Sequence, residues 1–404
     1  MRDGWRQVAF GDIVDLDVVR VPVAAGRAFP VVGVLGFGRG ILRREPVTAA
    51  STSYRELNLV RGSQLIYSKL KAFEGAITVT PDQLPESFAS SEFPTFTCRD
   101  AVLPDYLRLV TQQTELWSDL ASLSKGLGGR RERLSPRDLL GLRLSLPPLA
   151  EQRRIVDLIG ALDDAIGAAT RALARAQDLR RSAADQLYER WPHLVALREF
   201  APPRDLIGGP FGSSLVSADY VSDGVPVIRG TNMSADGPWV GGDFVYVTPA
   251  KADQLSRNQA MPGDVIFTQR GTLGQVSLVP ITGAERYVVS QSQMRLRVDE
   301  GRDSAKFVYH AFSAPRMVRE IQSRNTATAN PHINLGLLGQ LEIPRPPLAD
   351  QLEAVALLDA AESVAGGLRD SIRDLSKARG NLLNALLSGE HVIPESYDEL
   401  FEAV

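Results

Sequence analysis

The chain has 404 residues, too many for one ordinary globular domain, so two or three domains are expected. Its composition, 44% hydrophobic, 7% aromatic and 23% charged, suits a soluble protein with sizeable cores. The formal net charge of −3 excludes a globally basic nucleic-acid binder, so any such contact must come from local clusters of Arg and Lys. The single cysteine, Cys98, excludes an internal disulfide framework and reads as a small buried apolar residue. The first residues lack the apolar stretch of a signal peptide, and no run of about 18 apolar residues occurs, so a reducing cytoplasm and no membrane are expected.

Residues 1–146 are expected to form a first globular domain of mixed α/β character. Within it Arg61-Gly62 turns into the β-prone run Ser63–Tyr67, and Asp105–Ser122 has helical composition. Residues 147–192 read as one long helix. Pro147-Pro148 suits a first turn, where the missing N–H costs nothing, and Glu151 lies near the positive end of the helix dipole. Ala, Leu and Arg then dominate until Pro192 stops the helix. Residues 193–343 repeat the domain pattern, with Pro262-Gly263 entering the run Asp264–Thr268 and a helical stretch Ser304–Gln322. Residues 344–390 read as a second long helix ended by Gly389, and 391–404 as a tail.

The halves correspond in detail. Pro147-Pro148-Leu149-Ala150-Glu151-Gln152 returns as Pro346-Pro347-Leu348-Ala349-Asp350-Gln351, an offset of 346 − 147 = 199 residues. Lys69 matches Arg270, each just past a β-prone run. Ser90-Ser91-Glu92-Phe93 parallels Ser290-Gln291-Ser292, and Arg133-Leu134-Ser135 precedes the first helix as His332-Ile333-Asn334 precedes the second. In the second helix Leu358, Ala361, Ala365, Leu368, Ile372, Leu375, Arg379, Leu382 and Leu386 step by threes and fours. The first helix has Ile159, Leu162, Ile166, Ala169, Leu173, Ala176, Arg180, Ala183 and Leu187 at the same phase. This heptad seam supports a coiled coil, and two matched helices of roughly 60 Å in one chain are each other's obvious partners. Arg180 and Arg379 interrupt the seam at the same place, as snorkelling side chains, a register device or contacts to a partner subunit.

With Pro-Pro-Leu-Ala-Glu-Gln heading a long helix in each half, the layout resembles the specificity subunit of type I restriction–modification systems. Ile207-Gly208-Gly209-Pro210-Phe211-Gly212-Ser213-Ser214 and Gly224-Val225-Pro226-Val227-Ile228-Arg229-Gly230-Thr231-Asn232 are similar to stretches near the start of a target-recognition domain in that family. The first half has no Gly-Pro-Phe-Gly-Ser counterpart, which places its domain in a different sequence class. The resemblance implies two recognition domains held apart by an antiparallel coiled coil with pseudo-twofold internal symmetry. It further implies a bipartite asymmetric target on double-stranded DNA, and assembly with two methylation subunits and two restriction subunits.

Phosphate contacts need Arg, Lys, hydroxyls and backbone N–H groups, and base reading favours Arg or Lys for guanine and Asn or Gln for adenine. In the first domain Lys125, Arg130, Arg131 and Arg133 cluster around glycines, as do Arg39, Arg43 and Arg44, and Lys69 is a further candidate. In the second domain the candidates are Ser213, Ser214, Arg229, Thr231, Asn232, Arg270, Thr272, Asn330, His332 and Asn334. Asx and hydroxyl residues also fill turns for local reasons. No adenine-methyltransferase loop, Gly-Lys-Ser/Thr phosphate loop or His/Cys metal cluster is present, so the chain is expected to be non-catalytic and to need no cofactor. The competing readings are a coiled-coil scaffold that binds proteins and a DNA-targeting subunit of another defence complex.

Overall fold

The computed structural model describes residues 4–123, 133–233, 237–324, 332–394 and 396–398. They divide into two compact units, Met1–Ile166 with Asp374–Val404, and Gly167–Arg373. The long helices run Leu149–Arg190 and Leu348–Ser388, and each contributes residues to both units. Both prolines of each repeated motif stand just ahead of the helix. The carbonyls of Pro148 and Pro347 accept the N–H of Gln152 and Gln351 at 3.0 Å, opening the helical ladder. The second helix ends at Gly389 (φ 77°), and the N–H of His391 returns to the Ala385 carbonyl.

In the first unit a four-stranded antiparallel sheet has the order Val14–Leu16, Thr95–Cys98, Gln64–Tyr67, Ile77–Val79. A three-stranded sheet (Val19–Pro22, Glu56–Val60, Ser87–Ala89) and the hairpin Val32–Val34 with Ile41–Arg43 extend from it in sequence. Phe10, Leu65, Tyr67, Phe96 and Leu107 form the core with Ile155 and Ile159 of the first long helix and Leu386 of the second.

The second unit repeats the four-stranded order with Leu206–Gly208, Gln293–Leu296, Val265–Thr268 and Val276–Leu278. It adds a five-stranded sheet of order Tyr220–Val221, Val245–Val247, Val225–Ile228, Tyr287–Val289, Gln259–Ala260, in which the third and fourth strands are parallel. Phe267, Phe307, Phe312, Leu338 and Ile343 pack with Leu187 of the first helix and Leu358 of the second. Each unit also closes its globular part with a two-stranded ribbon, Arg6–Ala9 against Arg143–Leu146 and Leu194–Ala196 against Glu342–Pro344. The turns entering the matched strands both use glycine, for different reasons: a Cβ on Gly62 would sit 1.9 Å from the Asp82 carbonyl oxygen, whereas Gly263 has φ 89°.

The helical stretches expected over Asp105–Ser122 and Ser304–Gln322 are each two helices, Pro104–Val110 with Thr114–Leu123 and Ala305–Ser313 with Pro315–Ser323. Pro315 explains the second break, since its ring forces Ala314 into extended backbone (φ −62°, ψ 135°). In the first, the Thr111 hydroxyl returns to the Arg108 carbonyl at 2.6 Å where the helix stops.

Every seam position named from the sequence is buried or half-buried. Within each unit the helix segments run antiparallel, and the two seam arginines cross between them. Arg379 grips Asp163 (2.5 and 3.0 Å) and also donates to Gln112 in the first unit. In the second, Arg180 pairs with Glu362 at 3.1 Å and reaches the Ser313 hydroxyl. Arg180 and Arg379 are 199 residues apart, and so are Asp163 and Glu362 (362 − 163 = 199). The two bridges are therefore one interaction repeated with donor and acceptor helix exchanged, so both arginines are cross-helix ties. Slipping a helix by one turn would separate both pairs, a register device of the kind buried polar groups supply in coiled coils.

A buried amide links each helix to its globular part. Gln152 is fully buried; its Oε1 accepts from the Leu103 N–H (2.8 Å), and its Nε2 donates to the carbonyls of Ala101 (3.1 Å) and Pro147 (2.9 Å). Gln351, equally buried, accepts from the Ser304 N–H and donates to Asp303 and to the Pro346 carbonyl, each at 2.9 Å. Truncating either amide leaves buried backbone groups without partners, each costing about 1–3 kcal/mol. Gln152→Ala and Gln351→Ala are each expected to lose roughly 2–4 kcal/mol of stability in denaturant unfolding. A loss under about 0.5 kcal/mol, the range of ordinary surface changes, would show that these clamps do not hold the helices.

Candidate nucleic-acid interface

In the first unit the chain leaves the strand Gln64–Tyr67 through Ser68 and Lys69, and this exit gathers charge. The Lys69 backbone N–H donates to the Glu92 carbonyl and its Nζ donates to the Ser91 carbonyl at 2.7 Å. The Lys69 carbonyl accepts from the Leu134 N–H, which sets Arg133 alongside, and the Arg133 guanidinium pairs with the Glu92 carboxylate. Buried Asn58 donates to the carbonyls of Ser90 and Phe93, fixing the turn that organises the cluster. The hairpin carrying Arg43 and Arg44 packs on Phe93 through Val32, Val34 and Ile41. Arg43 and Arg44 are exposed and form no ion pair among the described residues, whereas Arg39 curls back, donating to the Gly36 carbonyl at 3.0 Å beside the Phe37 ring. Lys69, Arg133 and Arg44 therefore assemble around one turn, and Arg39 braces its own loop. Lys125, Arg130 and Arg131 lie outside the described residues.

The equivalent place in the second unit is the exit of Val265–Thr268. Gln269 and Arg270 both donate backbone N–H to the Ser292 carbonyl, Arg270 bridges His332, and the Gln269 carbonyl accepts from the Ile333 N–H. Arg270 and His332 are exposed side by side, and the Arg270 guanidinium has no partner among the described residues. Asn334 borders them, but its Oδ1 accepts from the Leu337 N–H at 2.8 Å and caps the helix Leu335–Gln340, as Ser135 caps Pro136–Gly141. Gln291 donates its Nε2 to the Gly212 and Leu215 carbonyls, pinning the Gly-Pro-Phe-Gly-Ser-Ser loop to the Ser290–Ser292 turn. Two clefts flank Gly212. One of about 570 Å³ is lined by Gln269, Arg270 and Asn334; the other, about 500 Å³, is lined by Arg229, Tyr220 and Ser217. The Arg229 Nε is buried without a partner among the described residues, and one amine donates to the Asp243 carbonyl. Asp219, at the rim, accepts from the Val216 N–H and pairs with Lys251, which holds its carboxyl below the usual carboxylate range.

Ser213, Ser214, Thr231 and Thr272 are exposed on turns around these clefts. Asn232 is a correction. It is 1% exposed, its amide donates to the Gly241 and Asp243 carbonyls and its oxygen accepts from the Arg229 N–H, so it shapes the loop and offers nothing to a ligand. Asn330 lies outside the described residues. Sequence reasoning missed Gln269 and Gln291, although Gln291 stands inside the paralleled Ser290–Ser292 stretch. Among the described residues no cluster of His, Cys, Asp and Glu could hold a metal ion, and no helix is long and apolar enough to cross a membrane.

Residues 221–368 match the family model described as the type I restriction modification DNA specificity domain. The fold is similar to that of solved structures from type I restriction–modification systems. It is similar to a structure solved under "Structural basis underlying complex assembly and conformational transition of the type I R-M system", with TM-score 0.59, 19% identity, and coverage of 96% of this chain and 98% of that one. It is also similar to the type I restriction-modification S subunit from M. genitalium, with TM-score 0.52, 13% identity, and coverage of 95% and 96%. No curated protein matches the chain.

The geometry separates residues that build the site from those that face outward. Asn232→Ala is expected to cost about 1–3 kcal/mol of stability, because buried carbonyls lose their donor. Arg270→Ala should unfold within about 0.5 kcal/mol of the parent, as surface changes do. Equal unfolding midpoints for the two variants would contradict this division.

Proposed function

We propose that the chain is the DNA-reading, non-catalytic subunit of a type I restriction–modification complex. Its globular domains, residues 1–146 and 193–343, each read one half of a bipartite asymmetric target, and the helices over 147–192 and 344–390 set the spacing between half-sites. Adenine methylation and restriction are then performed by partners, two methylation subunits and two restriction subunits. The observation that carries this reading is the duplication: each unit has the same four-stranded order, and each places cationic side chains where the third strand ends, at Lys69 and Arg133 or at Arg270. A protein that reads two half-sites needs two equivalent sites whose surroundings differ, and the five-stranded sheet and clamped loop of the second unit supply that difference.

Exposed cations that form no internal ion pair are the ones free to meet phosphates. Arg43→Ala and Arg270→Ala in the assembled complex are each expected to weaken DNA binding and to lower the slope of log affinity against log salt by about 1. Unchanged affinity and slope in both would remove these sites from the DNA surface. Replacing residues 193–343 with another recognition domain should change one half-site of the methylated sequence and leave the other. Simultaneous change of both half-sites, mapped by sequencing methylated adenines, would refute one reader per unit.

A further inference from the structure

The most exposed large hydrophobic side chain among the described residues is Phe211, at 90%. Its backbone is unusually well held for a loop. The Gly208 carbonyl accepts from Asn258, the Gly209 N–H donates to the Gln293 carbonyl, and Gln291 grips the Gly212 and Leu215 carbonyls. Pro210 fixes its own φ, and a Cβ on Gly209 would lie 2.0 Å from the Ser290 carbonyl oxygen, so only glycine lets the loop sit this close to the turn. Phe211 itself is in extended backbone (φ −84°, ψ 147°), and its carbonyl accepts from the Ser214 N–H. The loop is thus fixed on both sides of a bare aromatic ring, which makes no ring contact among the described residues. Phe37 in the first unit differs: its ring meets Trp117 edge-on at 6.4 Å and carries Arg39.

A rigid, solvated phenylalanine forfeits the burial that a core phenylalanine gains. A single exposed ring is ordinary on a protein surface; it is the clamped backbone and the polar clefts beside it that set this one apart. The surroundings say what it contacts. The polar groups lining the two clefts are the guanidinium groups of Arg270 and Arg229, amides and hydroxyls, and the carboxylate at the rim, Asp219, is neutralised by its ion pair with Lys251. That complements a polyanion carrying base edges and is a poor match for a mixed-charge protein surface.

We propose that Phe211 is a base-contacting wedge: its ring inserts at a base step of the half-site read by the second unit, while Arg270 and Arg229 hold flanking phosphates. This rests on the DNA-reading function proposed above. A wedge must be stiff to separate stacked bases without yielding, which is what the clamped backbone provides.

The test uses the complex assembled with its methylation subunits and measures duplex binding over a range of salt. Phe211→Ala is expected to bind about tenfold more weakly, the order found for lost base–aromatic stacking. Its salt slope should equal that of the parent complex, because no phosphate partner is lost. Arg270→Ala should lower both affinity and slope, and Phe211→Trp should retain affinity. Binding by Phe211→Ala equal to the parent overturns the inference, as does loss of the methylation subunit from this variant in size-exclusion chromatography, which would place the ring at a protein interface. Absence of salt-dependent binding in the parent complex would instead overturn the DNA-reading function, and the wedge with it.

Discussion

The first turn of each long helix is fixed by one buried amide with three hydrogen bonds, and the placement of each globular part on its helix depends on that bond set. Gln152 and Gln351 are fully enclosed, so their alternatives are poor: an unpaired amide and stranded backbone groups in a dry setting. The amide holds two stretches of chain at once, the Pro-Pro segment ahead of the helix and the start of the next globular helix near Leu103 or Ser304. In the second unit Arg345 adds two bonds to Asp303, which also accepts from Gln351, so the clamp there is a connected network. A helix gripped in this way cannot rotate about its axis without dragging its domain.

Much of this was legible in the chain, and the divisions follow physical lines. The long helices and their seam were readable because a 3.5-residue period is local and survives in sequence. The strands after Gly62 and Gly263 were readable because glycine and β-branched or aromatic residues mark them locally. Sheet order was not readable, since strand pairing joins residues far apart, as in Phe96 against Leu16 and Leu65. The repeated motif displayed its glutamines openly, but helix propensity gives a glutamine there no special role; only the fold shows what its amide reaches. The seam arginines had their partners in the sequence as well, because Asp163 and Glu362 share the 199-residue offset.

For the candidate site, composition named the neighbourhood better than the residues. Arg133 and Lys69 do meet, and so do Arg270 and His332, because Ser90–Phe93 and Ser290–Ser292 are turns that collect the strand exits. Asn232 and Asn334 illustrate the opposite outcome. A short amide beside glycine suits a base edge, but it suits a turn or a helix cap equally well, and the backbone's nearby N–H groups compete at far higher effective concentration. Where a backbone donor lies within three residues, the local bond takes the amide. Arg43, Arg44 and Arg270 escape this competition because their chains are long and their charge stays solvated, whereas Arg39 donates to the Gly36 carbonyl three residues back.

The ribbons that close each globular part carry a genetic consequence. Arg6 lies opposite Leu146, and Leu194 opposite Pro344, so the first and last strands of each globular part run side by side immediately before a long helix begins. A segment whose ends are neighbours can be replaced as a cassette without moving what it is mounted on. The sequences just beyond those ends, Pro147–Gln152 and Pro346–Gln351, are nearly the same in both copies. Recombination at these near-identical joints would therefore exchange a domain together with the long helix ahead of it, and the incoming domain must bring its own partners for the glutamine, as the Leu103 and Ser304 N–H groups are here.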